Sequence, residues 1–358
     1  MRPFTYNALP GRIVFGAGRR SEIASEADAL GLRRVMVVAD ENAKADADEL
    51  VDLLDDRVVT RWHEVAQHVP TELADAARQA ATDHEIDGIV TVGGGSTTGL
   101  GKAIALVRDA PIVAVPTTYA GSEMTPIYGL TGEHKETGRD LRVLPRAVVY
   151  DPELTVDLPV AVTTTSAFNA IAHSVEALYG PDANPITSLM AQDAIGVLTA
   201  ALPRLNADPH DVDLRSDLLY GAYLAGAVLA AVGMALHHKV CHVLGGSFGL
   251  VHGDVNAVVL PHVVAYNAKG APEAIDRVGS AMDVADPAAA LFDLAAAVGA
   301  PVSLESLGMP HEGLDEAARR AVSETTFNPT TVDEPSIRRL LEAAWRGQRP
   351  QVGAAQEL

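Results

Sequence analysis

The chain has 358 residues, of which 48% are hydrophobic and 21% charged, a composition typical of a soluble globular protein large enough to bury a core. Its formal net charge of −20 repels phosphate backbones and anionic lipid, which argues against nucleic-acid partners and against a membrane surface. The single cysteine, Cys241, and an N-terminus without a signal-peptide pattern predict a cytoplasmic protein, and the length favours two domains of about 150 residues or more.

Strand and helix patterns alternate through the first half of the chain. Short apolar runs typical of buried parallel strands lie at 35–39, 58–62, 89–92, 112–115 and 147–150. Helices are predicted between them at about 71–84 and 96–107. Alternating strands and helices with short links predict an α/β domain with a parallel sheet covered on both faces, which we place at residues 1–157.

Helical patterns dominate the second half, and strand patterns nearly vanish. Helices are predicted at about 165–179, 185–203, 214–236, 254–268, 286–298, 312–323 and 335–346. We therefore predict an all-helical domain over residues 158–358. The cleft between two such domains is the usual ligand site.

Residues 218–236 form a run of 19 residues without a charge, which meets the length rule for a membrane span. Alanine and glycine make up 9 of these 19 residues, and polar residues precede and follow the run. We interpret it as a buried helix and keep a membrane span as the alternative.

A glycine-rich turn between a strand and a helix predicts a nucleotide site. Glycines let backbone N–H groups approach an anion, and the helix N-terminus adds partial positive charge. The GxGxxG pattern fails because Thr98 replaces its third glycine, so a purely structural turn is the alternative. Residues at the same sheet edge complete the predicted dinucleotide site: Asp40, Gly93, Gly94, Gly95, Ser96, Thr117, Thr118 and Ser122.

Asp40 carries the prediction about the cofactor. It ends a predicted strand, where its carboxylate could accept hydrogen bonds from ribose hydroxyls. It would also repel a 2′-phosphate. We therefore expect NADH, with NADPH possible.

Polar residues recur at helical spacing in the second half. Two i, i+4 pairs and one later histidine could converge from neighbouring helices: Asn169, His173, His238, His242 and His252. Two further histidines, His237 and His262, lack this pairing and are interpreted as surface or packing residues.

Four segments together resemble the iron-containing alcohol dehydrogenase superfamily: GGGSTTGLGK, PTTYAGSEMTP, AHSVEALY and HHKVCHVLGGSFGLVHGDVNAVVLP. The resemblance implies a Rossmann-like α/β domain followed by an all-α domain, the dehydroquinate synthase-like fold. It also implies a metal site at the positions of Asn169, His173, His238 and His252, with His242 near the nicotinamide.

One position departs from that pattern, because Asn169 stands where the metal enzymes have Asp. An amide is a weaker, uncharged ligand, so we expect no metal. With FTYNALPGRIVFGAG and GRDLRVLPRAVVYDP, this departure resembles the metal-free branch of the superfamily. Its members reduce the C=C bond of maleylacetate with NAD(P)H to 3-oxoadipate, in the degradation of aromatic compounds. The segment HGDVNAVVLP is closer to the general family pattern.

The resemblance implies roles for the polar cluster. We expect His173 and His242 to donate protons or stabilise an enolate as imidazolium groups. His238 and His252 would complete the pocket, and Asn169 would donate its N–H. A dicarboxylate substrate also needs cations, for which the candidates are Lys239, Lys135, Arg139 and Arg142. A homodimer is expected.

Two alternatives remain open. The first is a metal-dependent alcohol or polyol dehydrogenase in which Asn169 still binds iron or zinc. The second is a non-redox protein, either a lyase or cyclase that uses NAD⁺ transiently or a ligand-sensing module.

Overall fold

In a computed structural model of the chain, the described residues are 3–9, 11–132 and 135–352. They divide into an α/β unit, Ala8–Leu158 with His210–Leu219, and a helical unit formed by the remaining segments. The main division lies one residue from the predicted boundary. These units differ from a single cut between 157 and 158 at residues 210–219 and at residues 3–7, which group with the helical unit.

Arg215 explains why residues 210–219 group with the α/β unit. Its side chain is fully buried. Its guanidinium donates hydrogen bonds to the Tyr119 hydroxyl at 3.3 Å and to the carbonyls of Val156 and Leu158 at 3.1 and 3.0 Å. A buried guanidinium needs such acceptors. Because Tyr119, Val156 and Leu158 belong to the α/β unit, residues 210–219 group with that unit.

The α/β unit is built on the predicted strands and on three further ones. In chain order the strands are β1 Arg12–Phe15, β2 Val35–Ala39, β3 Val58–Trp62, β4 Gly88–Gly93, β5 Ile112–Pro116, β6 Ile127–Thr131, β7 Lys135–Arg139 and β8 Ala147–Tyr150. Six of them form a parallel sheet in the order β1-β8-β5-β4-β2-β3, and β6 pairs with β7 in an antiparallel ribbon. The predicted parallel sheet is confirmed.

Four α-helices follow strands or turns in this unit: α1 Ile23–Ala29, α2 Lys44–Leu54, α3 Thr71–Asp83 and α4 Gly95–Arg108. The central strands β2, β4 and β5 are buried along their whole length. Apart from Thr91 in β4, their side chains are apolar, and polar residues follow at the strand ends, which is where open parallel sheets bind ligands.

The helical unit contains the remaining helices: α5 Val160–Ala177, α6 Pro185–Ala201, α7 Val212–Val232, whose first turns group with the α/β unit, α8 Leu236–Phe248, α9 His252–Asn267, α10 Pro272–Met282, α11 Pro287–Ala297, α12 Leu314–Glu324 and α13 Glu334–Trp345. The helical character predicted for this part of the chain is confirmed. Two of these helices, α8 and α10, were missing from the predicted set. One core packs α8 and α9 against α12 and α13.

A sharp break separates α7 from α8. The helix predicted over 214–236 ends early at Val232, because Gly233 adopts a left-handed φ of 85°. By length and composition alone, Pro185–Arg204 could cross a membrane, and α7 with α8 could do so only as a span bent by 100°. One or two such helices among the described residues are weak evidence for a membrane, because core helices of globular proteins pass the same test.

Candidate active site

The glycine-rich turn connects β4 directly to α4. Gly93 has a left-handed φ of 145°, and a side chain there would meet the Thr97 hydroxyl at 2.5 Å. A Cβ at Gly94 would lie 3.1 Å from Thr118, and one at Gly95 would lie 3.2 Å from Ala120. No side chain caps the N-terminus of α4. The turn is therefore open to an anion, and its first-turn N–H groups fit a phosphate.

Asp40 lies beside this turn, at the end of β2. Its Oδ1 accepts hydrogen bonds from the backbone N–H groups of Asn42 and Ala43, at 2.9 and 3.1 Å. Its Oδ2 accepts a hydrogen bond from the Thr97 hydroxyl at 3.2 Å. The structure thus brings the predicted ribose ligand and the predicted phosphate turn together through Thr97, a residue that the sequence analysis did not select.

Lys102 anchors the segment after β5. Its buried ammonium donates hydrogen bonds to the Ser122 carbonyl at 2.7 Å, the Thr125 hydroxyl at 3.0 Å and the Ile127 carbonyl at 2.8 Å. Burial lowers the pKa of Lys102 to about 7. The Ser122 hydroxyl also faces this ammonium at 3.2 Å. Ser122, predicted as a cofactor contact, therefore helps to hold its own loop against α4.

The polar residues predicted in the second half come together in the helical unit. Asn169 and His173 lie on α5, His238 and His242 on α8, and His252 at the first position of α9. The i, i+4 spacing places each pair on one helix face.

The rings of these histidines form a continuous chain of contacts. The ring centroids of His173 and His238 are 4.5 Å apart and stacked. Those of His238 and His242 are 6.5 Å apart, and those of His242 and His252 are 5.8 Å apart. We call this set, with Asn169, the histidine cluster.

The cluster has a deep end and a shallow end. His173 and His238 are 6% and 1% exposed, whereas His242 and His252 are half-buried. Burial lowers the pKa of His173 and of His238 well below the usual value, and neighbouring imidazoles add to the effect. Burial therefore disfavours the imidazolium form expected for His173, and the role of this residue in the reaction stays a prediction.

Three buried polar atoms of the cluster have no hydrogen-bond partner among the described residues. They are Asn169 Oδ1, His173 Nδ1 and His238 Nε2. Orphaned polar atoms are rare in folded proteins, and their grouping here points to a bound ligand.

Glu176 was absent from the predicted site, and it lies behind the cluster. Its carboxylate accepts hydrogen bonds from the backbone N–H groups of Ala235 and His237 and from the His238 ring. Burial raises the pKa of Glu176. The electrostatic interaction with His237 and the backbone hydrogen bonds act in the opposite direction and lower it. Glu176 follows His173 by three residues, which places both on one helix face. This spacing is a weak sequence signal for a site residue.

His237 is a second residue of this supporting layer. Its Nε2 faces Asn256 Oδ1 at 2.8 Å, and Asn256 Nδ2 donates to the His252 carbonyl at 2.7 Å. Because the amide nitrogen is used on the carbonyl, Oδ1 accepts from His237 Nε2–H. These bonds tie α8 to the first turn of α9, and His237 is buried for packing as predicted.

The predicted substrate cations differ in their surroundings. Lys239 is half-buried on α8, close enough to contribute to the lowered pKa of His238. Arg142 is exposed and holds Asp140 through several hydrogen bonds. Arg139 lies exposed on β7, and the side chain of Lys135 falls outside the described part of the chain. Of the three whose side chains are described, Lys239 is the one that contributes to the pKa of a histidine in the cluster.

The donor set of the cluster differs from that of a metal enzyme at one position, and the expected absence of a metal stays a prediction. Among the described residues, no three or more His, Cys, Asp or Glu side chains are arranged as a metal site. The remaining donor, Asn169, is an uncharged amide and offsets none of a dication's charge.

Comparisons with known proteins agree along the whole chain. Residues 10–152 match the family model for iron-containing alcohol dehydrogenase, and residues 163–345 match that for the C-terminal part of the Fe-containing alcohol dehydrogenase family. The maleylacetate reductase of Burkholderia cepacia is 50% identical over 351 residues, which cover 98% of this chain and 100% of that protein. The maleylacetate reductase of Sphingobium indicum is 47% identical, over 97% of this chain and 99% of that one. The crystal structure of maleylacetate reductase from Agrobacterium tumefaciens has a TM-score of 0.95 at 46% identity, covering 98% of this chain and 100% of that one.

Proposed function

The chain belongs to the iron-containing alcohol dehydrogenase family, and we propose that this NAD(P)H-dependent oxidoreductase reduces the C=C bond of maleylacetate to 3-oxoadipate without a metal ion. The observation that carries the proposal is the histidine cluster, in which burial lowers the pKa of His173 and His238 and the amide of Asn169 stands where a metal enzyme needs an anion. The relatives that are 46 to 50% identical and bear the name maleylacetate reductase support the substrate.

The cofactor fits the α/β unit. The open N-terminus of α4 would hold the pyrophosphate, and Asp40 would accept hydrogen bonds from the ribose hydroxyls. When bound, NAD(P)H supplies the hydride for the reduction. A carboxylate at the ribose favours NADH over NADPH, because it repels a 2′-phosphate.

The substrate explains why imidazoles suffice. The ketone of maleylacetate makes the far alkene carbon electrophilic, so hydride addition there leaves an enolate and not an alkoxide. An enolate is the less basic anion, and N–H donors of neutral rings can stabilise it. The adjacent carbon then takes a proton from the chain, and solvent restores that proton.

Individual residues receive roles from their positions. His242, at the shallow end of the cluster, is the proposed proton donor, and His173 is a neutral N–H donor to the enolate oxygen. Lys239 would bind one carboxylate of the substrate. His252 would complete the pocket, and Asn169 would hydrogen-bond the substrate or a neighbouring ring.

The test is NADH oxidation by the purified protein with maleylacetate, with and without a chelator, together with metal analysis of the same sample. We expect turnover that chelation leaves unchanged, and a metal content far below one per chain. Turnover of simple alcohols only with added zinc or iron would instead favour the metal-dependent alternative. Absence of net nicotinamide turnover with either substrate class would favour the non-redox alternative.

A substitution at Asn169 tests whether the missing negative charge prevents metal binding. Asn169→Asp supplies the missing anion, so we expect the variant to retain zinc after dialysis and to lose about tenfold or more in maleylacetate turnover. The matched control is Asn184→Asp, because Asn184 caps α6 and aspartate caps a helix equally well. If wild type already retains stoichiometric metal, the metal-free mechanism is wrong.

The expected homodimer stays a prediction, which light scattering checks.

A further inference from the structure

Glu176 makes a set of contacts that the proposed reaction does not yet use. It lies on α5 and is 1% exposed. One carboxylate oxygen accepts the His237 N–H at 2.7 Å. The other faces the Ala235 N–H at 2.9 Å and His238 Nδ1 at 2.7 Å.

Two of these contacts cap the N-terminus of α8. The Ala235 side chain makes no capping hydrogen bond, so the first N–H groups of α8 need another acceptor. Glu176 supplies it from α5, and its negative charge lies at the positive end of the helix dipole. This cap fixes the position of α8, and with it the position of His238, relative to His173.

The third contact determines the tautomer of His238. All three neighbours of the carboxylate are nitrogens, and two of them are backbone N–H groups that can only donate. Two backbone N–H bonds favour the ionised form of this carboxylate, so it accepts from His238 as well, and a neutral His238 ring carries its proton on Nδ1. The other ring nitrogen, Nε2, then carries a lone pair, and it has no partner among the described residues.

We propose that Glu176 is a positioning residue that holds His238 in the Nδ1–H tautomer, so that the Nε2 of His238 carries a lone pair and cannot be the proton donor. A dicarboxylate such as maleylacetate has no N–H or O–H group to donate to this lone pair, which therefore repels both carboxylates and keeps them away from this ring. The part of the inference that concerns the substrate rests on the proposed function. The tautomer does not depend on it.

The direct test is the tautomer of His238 in the wild-type protein, without substrate. Histidine is labelled with ¹⁵N, and the ring nitrogens of His238 are assigned by their loss in His238→Asn. Coupling patterns between ring protons and nitrogens then distinguish the two tautomers. We expect the proton on Nδ1. A proton on Nε2 in the wild type would overturn the inference, whatever substrate the enzyme takes.

The functional arm uses Glu176→Gln. The amide can donate to Nδ1, so we expect the His238 proton to move to Nε2. We also expect kcat to fall by about 10- to 100-fold while the KM for NADH stays the same. Glu26→Gln is the matched control, because Glu26 is a buried carboxylate that pairs with Arg12 in the α/β unit. Its kcat should stay close to that of the wild type.

The outcomes separate this inference from the proposed function. An unchanged kcat in Glu176→Gln, with the tautomer moved, would overturn the positioning role. If the variant does not fold, the tautomer measured in the wild type still decides. If maleylacetate is not reduced but His238 carries its proton on Nδ1, the proposed substrate fails and the role of Glu176 stands for the substrate that is found.

Discussion

At the scale of single residues, Asp40 combines a structural task with a chemical one. Its Oδ1 caps the short helical turn at Glu41–Ala43, and its Oδ2 accepts from Thr97 beside the phosphate turn. The capping needs only a side-chain oxygen, whereas discrimination between the cofactors needs the charge. The two tasks can therefore be separated by one substitution.

Asp40→Asn keeps the capping oxygen and removes the negative charge. We expect the ratio of kcat/KM for NADPH to that for NADH to rise about tenfold, equivalent to about 1.4 kcal/mol. Steady-state kinetics with each cofactor at fixed substrate measure this ratio. Asp286→Asn is the control, because Asp286 caps α11 and should leave the ratio unchanged. An unchanged ratio in Asp40→Asn would mean that Asp40 does not face the ribose.

Sequence reasoning found the residues whose signal is periodic and missed those whose partners are backbone groups. The i, i+4 spacing predicted that His173 and His238 lie on inward faces, and their rings stack. Glu176 was missed because it accepts from N–H groups of another helix, and no sequence pattern announces such a partner. The lowered pKa of His173 has no signal in the sequence, because burial depth is a property of the packed structure.

At the scale of elements, the break between α7 and α8 decides where the cluster lies. Gly233 closes α7 with a left-handed residue, and its N–H donates to the Leu229 carbonyl at 3.2 Å. The next helix starts three residues later, at a sharp angle. A continuous helix through this point would carry His238 to another face. Gly233 therefore helps to position His238 in the cluster.

Gly233→Ala tests this break. A Cβ there meets no atom within 4 Å, so the cost is backbone strain alone, about 1 kcal/mol. We expect Tm to fall by about 2 °C. Gly246→Ala is the control, since Gly246 is exposed within α8 and a Cβ there also has open space. That change should raise stability by about 0.5 kcal/mol, because alanine suits a helix. Equal effects at both positions would contradict the role of the turn.

The elements that sequence reasoning missed are those with weak apolar signals. The strand β1 is a partly exposed edge strand with an arginine, and β7 reads KETGR in a two-stranded ribbon. Such strands gain their stability from pairing with a neighbour. Helix α8 has two adjacent glycines and several histidines, so propensity alone does not predict it. The central strands were found because they are almost entirely apolar.

At the scale of the whole molecule, buried histidines make the folded state sensitive to acid. A histidine of the unfolded chain titrates near 6.5, whereas burial lowers the pKa of His262 to about 4. His173, His237 and His238 are also buried with lowered pKa values. Above pH 6.5 these rings are neutral in both states and contribute nothing to the pH dependence. Below pH 6.5 the unfolded chain takes up protons that the folded chain refuses, so stability falls with pH.

His262→Phe isolates one part of that dependence. His262 is 4% exposed, and its Nε2 has no hydrogen-bond partner among the described residues. A phenyl ring keeps the apolar contacts and does not titrate. Between pH 6.5 and pH 4 the wild type should lose about 3 kcal/mol more stability than the variant, because each pKa unit corresponds to about 1.4 kcal/mol.

Urea denaturation at a series of pH values measures this difference, since it compares pH slopes and not absolute stabilities. His84→Gln serves as the control, because His84 is exposed and its replacement should leave the slope unchanged. The acidic surface has the opposite effect on stability. The net charge is −20, and repulsion between surface carboxylates weakens as they take up protons, which favours the folded state at lower pH. Both proteins carry almost the same surface charge, so that contribution cancels in the comparison. Equal slopes for wild type and His262→Phe would show that His262 is protonated in the folded state, contrary to its burial.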